Sequence, residues 1–450
     1  MSAEVFTGTN AWQIIGAYAV LDLLVLLLLD HWLCNCSYGY RTGVARRVIV
    51  CFLFISIAFL PVLALFIRDG AYKYFLEKYS YVWMGFLMYF GALILVLTIF
   101  EIIVRLISGA SKRSRGSDDE AKKEIPEKKD GVQFQDVAGS FEETEDSAGE
   151  FDEKKPGLAG RIISGILLVA VIAAAVGINI YGTEHAGDTV VTHYDLKIDK
   201  HVKSTKDLRV AFISDLHLSY NSDPEMISRM VEKLNAEKPD VVLVGGDMFS
   251  SSYSSVLKPE EYIKALKSIK AKEGVYWVYG NHDAEEQLFC GFSMVAPQDA
   301  VRTRKMKKFL KKSGFKILDD KYTAICKGEI QLAGRADKYK PLEKAEKRLE
   351  PDVLLEDMDR DKPIIVLEHE PDGFKDLAES GADVTFAGHT HAGQIFPGTE
   401  IIKLFHDATY GLRDKYGMKV IVSSGVGCYG PPIRVLTDSE IVIADIHFAK

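Results

Sequence analysis

Four long apolar segments stand apart from the rest of the hydrophobic pattern, and all of them fall within the first 182 residues. They are Trp12–Leu29, Val48–Ile67, Tyr81–Ile107 and Ile162–Tyr181. A helix needs about 20 apolar residues to cross the hydrocarbon core of a bilayer, so each segment is long enough to span it. The pattern predicts three transmembrane helices within residues 1–107 and a fourth within residues 160–182.

Asp22 interrupts the first apolar segment with a carboxylate, which is costly in lipid. Two explanations are open. Asp22 makes a polar contact between helices, or the segment is shifted so that Asp22 lies nearer a membrane surface.

Basic residues are concentrated in two of the connecting loops. Arg41, Arg46 and Arg47 follow the first segment, and nine further Lys and Arg residues lie between residues 108 and 159. Loops rich in Lys and Arg tend to stay in the cytoplasm, and with four spans these two loops share one side. The pattern therefore predicts a multi-pass protein of the cell membrane whose soluble part is extracytoplasmic.

Residues 108–159 are rich in charged residues, Ser and Gly and have few large apolar side chains. Such a segment cannot bury enough apolar surface to offset the entropy of ordering it, which predicts a disordered linker. The alternative is a docking segment at Val132–Phe141 for a cytoplasmic partner.

From Leu208 onward, buried strands alternate with amphipathic helices. Arg209–Leu218, Asp240–Phe249 and Gly274–Asp283 each run from a strand into a polar loop, and the helices Pro224–Lys238 and Pro259–Ala271 separate them. Later strands are predicted at Pro363–Pro371, Asp383–Gln394, Lys419–Gly427 and Glu440–Phe448. The pattern predicts an α/β domain over residues 183–450, with a ligand site at the carboxyl ends of its strands.

Five strand ends deliver side chains that can bind metal ions. In chain order they are Asp215 and His217; Asp247; Asn281 and His282; His369; and His389 and His391. Carboxylate, imidazole and amide groups together suit divalent metals such as Mn, Fe, Zn and Co. If the chain stays extended, Asp215 and His217 point the same way and reach one ion. His389 and His391 have the same spacing, but a turn after Gly388 would send them to different ions.

Charge and cysteine content exclude other classes. The net charge of −8 gives no basic field for nucleic-acid binding. The six cysteines show neither zinc-ribbon spacing nor a disulfide framework, so we interpret them as buried or incidental thiols.

The blocks SDLHL, GGDMF, YGNHD, LEHEP and AGHTHAGQ, within Arg209–Gln394, resemble the signature of the calcineurin-like metallophosphoesterase superfamily. GHTHAGQ together with Val422–Arg434 is similar to its bacterial membrane-associated phosphodiesterase subgroup. The resemblance implies a four-layer α/β/β/α sandwich that follows the transmembrane module. It also implies two divalent metal ions, manganese among the candidates.

The resemblance further implies a role for each strand-end residue. One ion would be held by Asp215, His217 and His391, and the other by Asn281, His369 and His389, with Asp247 as the bridge. His282 would lie beside the substrate phosphate and assist the leaving group. Two such ions, about 4 Å apart, would generate the hydroxide that attacks phosphorus.

Two further residues have alternative interpretations. Asp283 is a catalytic residue that orients His282, or it caps its own loop. Arg434 binds the substrate phosphate through its guanidinium, or it is a structural or surface arginine.

The sequence therefore predicts a membrane-anchored, metal-dependent phosphoric ester hydrolase of the phosphodiesterase kind. The expected substrates are phosphodiesters or pyrophosphates of the cell envelope or of lipid carriers, because the active site follows closely on the last span. A receptor that binds phosphorylated envelope polymers without cleaving them, and a phosphatase for soluble phosphomonoesters, are the alternatives.

Overall fold

The computed structural model of the protein describes residues 11–37, 40–67, 70–120, 157–250, 252–294, 302–338 and 347–449. The predicted docking segment and residues 121–156 of the predicted linker lie outside these ranges. Two compact units make up the chain. One comprises Met1–Asp22, Phe54–Tyr89 and Ala174–Lys450, and the other comprises Leu23–Leu53 and Phe90–Ala173.

Four helices carry the apolar segments. They are α1 (Ala11–Asn35), α2 (Tyr40–Ala64), α3 (Ala71–Glu120) and α4 (Leu158–Ala186). Each is long and apolar enough to cross a membrane, as the hydrophobic pattern predicts. The backbone of α3 continues to Glu120, beyond the predicted end of the third span at residue 107. The predicted domain boundaries, after residues 107, 159 and 182, remain a proposal.

Polar contacts join helices within the smaller unit. The indole N–H of Trp32 donates to Thr98 Oγ1 at 2.9 Å, and Arg47 Nε donates to Asp30 Oδ1 at 2.7 Å. Such bonds are favourable in an apolar environment because each group would otherwise lack a partner.

The larger unit contains two six-stranded mixed sheets, which are built from successive βα pairs. The first has the order β1 (Thr189–His201), β14 (Ser439–Ala449), β2 (Asp207–Ile213), β3 (Val241–Val244), β4 (Gly274–Trp277), β7 (Lys316–Ile317). The second has the order β12 (Gly411–Lys415), β13 (Met418–Val422), β11 (Val384–Ala387), β10 (Ile364–Leu367), β9 (Ile330–Gly334), β8 (Lys321–Ile325). β5 (Leu288–Phe289) and β6 (Phe292–Ser293) form a separate hairpin.

The two sheets pack face to face, and helices cover their outer faces. Phe212 and Phe386, one from each sheet, lie 5.5 Å apart between ring centroids in the central core. Helices α5 (Pro224–Ala236), α6 (Pro259–Lys267) and α7 (Arg304–Lys312) pack on the first sheet. Helices α8 (Pro351–Leu354) and α9 (Phe374–Glu379) cover the second, and α10 (Gly398–Ile401) follows on a surface loop. The four-layer α/β/β/α prediction is confirmed.

The central strands of this sandwich are short and are buried on both faces. All four residues of β3, β10 and β11 are buried, and each of these strands pairs with its neighbours in parallel. Parallel strands deliver their carboxyl ends to one edge, so the loops that follow β2, β3, β4, β10 and β11 can converge on one site.

Candidate metal centre

The predicted metal ligands converge into two neighbouring groups at the carboxyl ends of the strands. One group contains Asp215, His217 and His391, and the other contains Asp247, His369 and His389. Within each group the possible ligand atoms lie within 4.8 Å of one another. His389 and His391 therefore belong to different groups, as expected from a turn after Gly388.

In the first group, the Nε2 atoms of His217 and His391 face each other at 3.0 Å. His391 Nε2 also lies 3.6 Å from Asp215 Oδ1. The other nitrogen of His217, Nδ1, lies 2.9 Å from the hydroxyl oxygen of Ser250, which fixes the ring plane.

In the second group, the Nδ1–H of His369 donates to the carbonyl of Gly245 at 2.7 Å, which turns Nε2 toward the site. This Nε2 lies 2.9 Å from Asn281 Oδ1. His389 Nδ1 lies 3.0 Å from the same amide oxygen. Asn281 thus joins the two histidines of this group, as the family resemblance implies.

Asp247 lies between the two groups. Its Oδ2 is 3.2 Å from His369 Nε2 and 3.7 Å from His217 Nε2. Its Oδ1 accepts the backbone N–H of His282 at 2.8 Å. A carboxylate with one oxygen near a histidine of each group is placed to bridge two ions, which supports the predicted role.

The loops that carry these side chains have unusual backbone conformations. Asp215 and His217 have φ angles of 56° and 49°, so the chain is not extended there, although both side chains still reach one group. Asp247, His389 and His391 also have positive φ angles, which non-glycine residues rarely adopt. Backbone bonds hold the first two in place: the Asp215 N–H donates to Gly246 O at 2.9 Å, and the His217 N–H donates to Asp247 O at 3.0 Å. Strained backbone of this kind is a recurrent feature of functional sites.

Two glycines allow the loops to approach one another closely. A Cβ atom at Gly280 would collide with the side chain of Asp247, and one at Gly388 would lie within 2.5 Å of Ser214 Oγ. These positions therefore require glycine for space, whatever their own dihedral angles.

Burial keeps three of the histidines neutral. It lowers the pKa of His217 and His389 to about 3, and it lowers the pKa of His391 well below its usual value. Neutral imidazole is the form that binds metal ions. Burial also opposes charge on His369, but the Asp247 carboxylate outweighs it and raises the pKa of His369. Asp247 thus attracts positive charge into the centre of the site.

These features fit a pair of divalent cations. Two neutral imidazoles that face each other at 3.0 Å need a shared proton or a cation between them. The donor set of imidazole nitrogen, carboxylate oxygen and amide oxygen suits metals of intermediate hardness. The hydrogen bonds from Ser250 and Gly245 orient the rings from behind, as is usual for metal-binding histidines.

Asp283 is fully buried, and both of its oxygens contact backbone amides. Oδ2 accepts from Asp247 N at 2.9 Å and from Gly280 N at 2.8 Å. Oδ1 accepts from Met248 N at 2.8 Å and from Phe249 N at 3.2 Å. Asp283 therefore ties the loop after β3 to the loop after β4, and these contacts favour the loop-capping alternative over orientation of His282.

The carboxylate that orients His282 belongs to Glu286. Glu286 Oε2 lies 2.9 Å from His282 Nδ1, and the Glu286 side chain is 2% exposed. The opposite face of the His282 ring stacks on Tyr429, with 4.4 Å between ring centroids. Sequence reasoning assigned neither residue, because residues 282–286 are not helical and their spacing alone does not predict the contact.

Arg434 is fully buried, so the expectation that it contacts substrate phosphate is not supported by its position. Its Nη2 donates to the carbonyls of Ser424 at 2.6 Å and Gly427 at 2.7 Å, and lies 3.4 Å from His391 Nδ1. These contacts favour the structural alternative, in which Arg434 holds the loop behind His391.

Two cavities flank His282. One, of about 350 Å³, is polar and is lined by Glu286 together with residues such as Lys73, Glu77 and Ser252. The other, of about 500 Å³, is apolar and reaches Tyr429. His282 thus contacts one wall residue of each cavity.

Comparison with known proteins agrees with the geometry. Residues 208–393 match the family model of the calcineurin-like phosphoesterases. An uncharacterised metallophosphoesterase of Helicobacter pylori (strain J99) is 31% identical over 245 residues, which are 53% of this chain and 60% of that protein. A transmembrane protein with a metallophosphoesterase domain from Danio rerio is 28% identical over 289 residues, which are 62% of this chain and 61% of that protein.

A more distant relative has a named activity. The UDP-2,3-diacylglucosamine pyrophosphatase LpxG of Chlamydia trachomatis is 23% identical over 238 residues, which are 46% of this chain and 70% of that protein. The chain spans only about three fifths of the length of the first two relatives. All of the proposed metal ligands lie inside the matched region, and the chain therefore carries a calcineurin-like phosphoesterase domain.

Proposed function

We propose that this protein hydrolyses phosphodiester or pyrophosphate bonds in lipid-linked or cell-envelope substrates, with two divalent metal ions bound at the strand ends. The observation that carries the proposal is the pair of ligand groups, with Asp247 Oδ2 near a histidine of each, next to a histidine that is not part of either group. One ion would be held by Asp215, His217 and His391, and the other by Asn281, His369 and His389. When bound, such ions supply Lewis-acid stabilisation of phosphoryl charge and a nucleophile at neutral pH.

His282 is the residue that can move a proton. Its Nδ1 bonds to the buried carboxylate of Glu286, so Nε2 is the nitrogen left to face the reacting group. Held by Glu286 through Nδ1, the ring is placed to donate a proton from Nε2 to the leaving oxygen. Tyr429 limits rotation of the ring by stacking on it.

The substrate class rests on two observations. The helices with membrane-spanning composition contribute residues to the same compact unit as the metal ligands, which keeps the site near lipid. A relative that shares the domain is named as a pyrophosphatase of a diacylated sugar nucleotide. By the charge bias of the loops, we further propose that the catalytic domain is extracytoplasmic.

The test uses the purified full-length protein, supplied with Mn²⁺ and assayed on a chromogenic phosphodiester. The expected result is metal-dependent turnover that the Asp247→Asn substitution abolishes. Tight binding of the phosphodiester without hydrolysis, under each of the candidate metals, would instead favour a receptor. A much higher kcat/KM for a soluble phosphomonoester would contradict the proposed substrate class. It would not contradict the proposed two-metal chemistry.

A further inference from the structure

An apolar groove runs between two membrane helices and the β5–β6 hairpin. Its volume is about 500 Å³, within the usual range for small-molecule sites. Apart from Ser293, the wall side chains are aliphatic or aromatic. Those that carry the argument are Ala17, Tyr18, Met88, Phe289, Phe292 and Tyr429.

The walls of this groove are held by specific contacts. Tyr18 donates its hydroxyl to the carbonyl of Ala58 at 2.7 Å and accepts from the indole N–H of Trp83 at 3.0 Å. Both hydrogen bonds involve the hydroxyl of Tyr18. Its ring makes an edge-to-face contact with the ring of Phe289, with 5.1 Å between centroids. The groove is therefore preformed by packing, which lowers the entropic cost of binding a flexible ligand.

The hairpin approaches the helices closely at Gly291. A Cβ atom there would lie 2.5 Å from Gly430 Cα and 2.7 Å from the ring of Tyr81, and the φ angle of Gly291 is 87°. The hairpin tip thus lies between α3 and the loop that carries Tyr429.

The inner end of the groove meets the catalytic machinery. Phe292 lies 5.9 Å from Tyr429 between ring centroids, and the backbone N–H of Ser293 donates to the Tyr429 hydroxyl at 3.0 Å. The Tyr429 ring in turn stacks on His282. On its other side His282 bonds Glu286, which lines the polar cavity. An amphipathic molecule fits this arrangement, with its apolar part in the groove and its polar part beside Glu286.

We propose that the groove binds one hydrocarbon chain of the lipid substrate and thereby places its phosphoester at His282. This inference rests on the proposed function and adds the site that recognises the lipid. A hydrocarbon chain is the occupant that the surroundings favour, because the groove lies on α1 and α3, whose composition suits the bilayer interior. Val20 of α1 is 68% exposed. An exposed valine on a helix of this composition is expected to face lipid.

The experiment compares two probes that differ only in chain length, hexadecyl p-nitrophenyl phosphate and ethyl p-nitrophenyl phosphate. The full-length protein is assayed in detergent micelles, and kcat/KM for the long probe is divided by kcat/KM for the short one. Ala17→Trp fills the groove, so we expect this ratio to fall by about 10- to 100-fold, since misplacement of a reacting group by about 1 Å costs up to about 100-fold. Ala19→Trp is the matched control, because Ala19 lies on the same helix, is also exposed and does not line the groove.

A second measurement does not depend on turnover. A hexadecyl phosphonate with a diazirine at the end of its chain is cross-linked to the unaltered protein, and the labelled peptides are mapped. We expect label on the peptides that contain Ala17 and Met88, displaced by unlabelled hexadecyl phosphonate and not by phosphatidylcholine.

The outcomes separate this inference from the proposed function. Equal ratios for Ala17→Trp and Ala19→Trp, label spread over other faces of the helices, or displacement by phosphatidylcholine would each overturn the groove as a substrate site. The last of these would identify a general lipid site. If neither probe is hydrolysed, the proposed function fails, and the cross-linking result still decides whether the groove binds the chain.

Discussion

Replacement of Asp283 by asparagine tests whether this carboxylate builds the metal centre or acts on His282. Asp283 accepts four backbone N–H groups from two loops, and these loops carry Asp247 and Asn281. Asparagine has nearly the same shape, but one of its two terminal atoms is a donor. Asp283→Asn therefore changes the hydrogen bonds with little change in packing.

The structure gives the size of the effect. The amide oxygen can replace one carboxylate oxygen and keep two of the four bonds. The amide NH₂ then faces two backbone N–H groups, and each buried donor left without a partner costs about 1–3 kcal/mol, or about 2–6 kcal/mol for the pair. Burial and the nearby Asp247 charge raise the pKa of Asp283 to about 7. Removal of the buried charge therefore offsets part of this cost. We expect the free energy of unfolding to fall by about 2–3 kcal/mol.

This loss would be visible as lower thermal stability and lower metal content. For a domain of this size, it corresponds to a decrease in Tm of about 5–10 °C in the metal-free protein. The two displaced loops would also bind metal more weakly, so elemental analysis should find less metal per chain. Asp414→Asn is the control: its carboxylate is exposed and pairs with Lys419 at 2.6 Å, and such surface pairs contribute little.

The opposite pattern would refute this reasoning. If Asp283→Asn keeps its Tm and both metals but loses turnover as His282→Ala does, then Asp283 orients the histidine and the loop-capping interpretation is wrong. If the variant loses neither stability nor turnover, the four hydrogen bonds contribute little to the stability of the two loops.

Three further predictions concern the site and its place in the membrane. Asp247→Asn should abolish turnover and lower the content of both metals in elemental analysis, because one of its oxygens lies near a histidine of each group. His282→Ala and Glu286→Gln should lower kcat with normal metal content, and loss of both metals in either variant would contradict their assignment outside the ligand set. Single cysteines are introduced into a cysteine-free variant, either at Lys203 or within residues 121–156, and intact cells are treated with an impermeant thiol reagent. The reagent should label the cysteine at Lys203 and not the one in the linker, because the basic linker is expected in the cytoplasm. Labelling of the linker alone would reverse the orientation.

The strand pattern and the ligand positions could be predicted from the sequence because both follow from local rules. Buried strands such as Val241–Val244 are short apolar runs that end in polar residues. Parallel strands place their carboxyl ends at one edge, which brings Asp215 near His391 although 176 residues separate them. At the start of α5, Asp223 accepts the N–H of Glu225 at 3.0 Å, which is the common role of an aspartate before a helix.

The backbone of the metal loops could not be predicted in the same way. Spacing placed Asp215 and His217 on one ion only for an extended chain, but both residues have positive φ angles and still reach one group. The reason is tertiary: these loops bond to the loop after β3 and not to a neighbouring strand. The role of Tyr429 likewise depends on a contact between loops that are distant in the sequence, and sequence periodicity carries no information on such contacts.

The membrane helices act as more than an anchor, because they pack directly on the loop behind the metal centre. At Gly85 of α3, a Cβ atom would lie 3.2 Å from Ile433 Cδ1, and at Gly182 of α4 it would lie 3.0 Å from Ile433 Cβ. Because these two glycines have no side chains, the loop that contains Ile433 can pack closely against both helices. Next to Ile433, Arg434 holds the carbonyls that position the chain behind His391.

The same loop carries Tyr429, which lines the groove and stacks on His282. Packing of these helix segments, orientation of His391 and the wall of the groove therefore depend on one stretch of about ten residues, a physical reason for the adjoining parts of the apolar helices to form one compact unit with the proposed metal ligands.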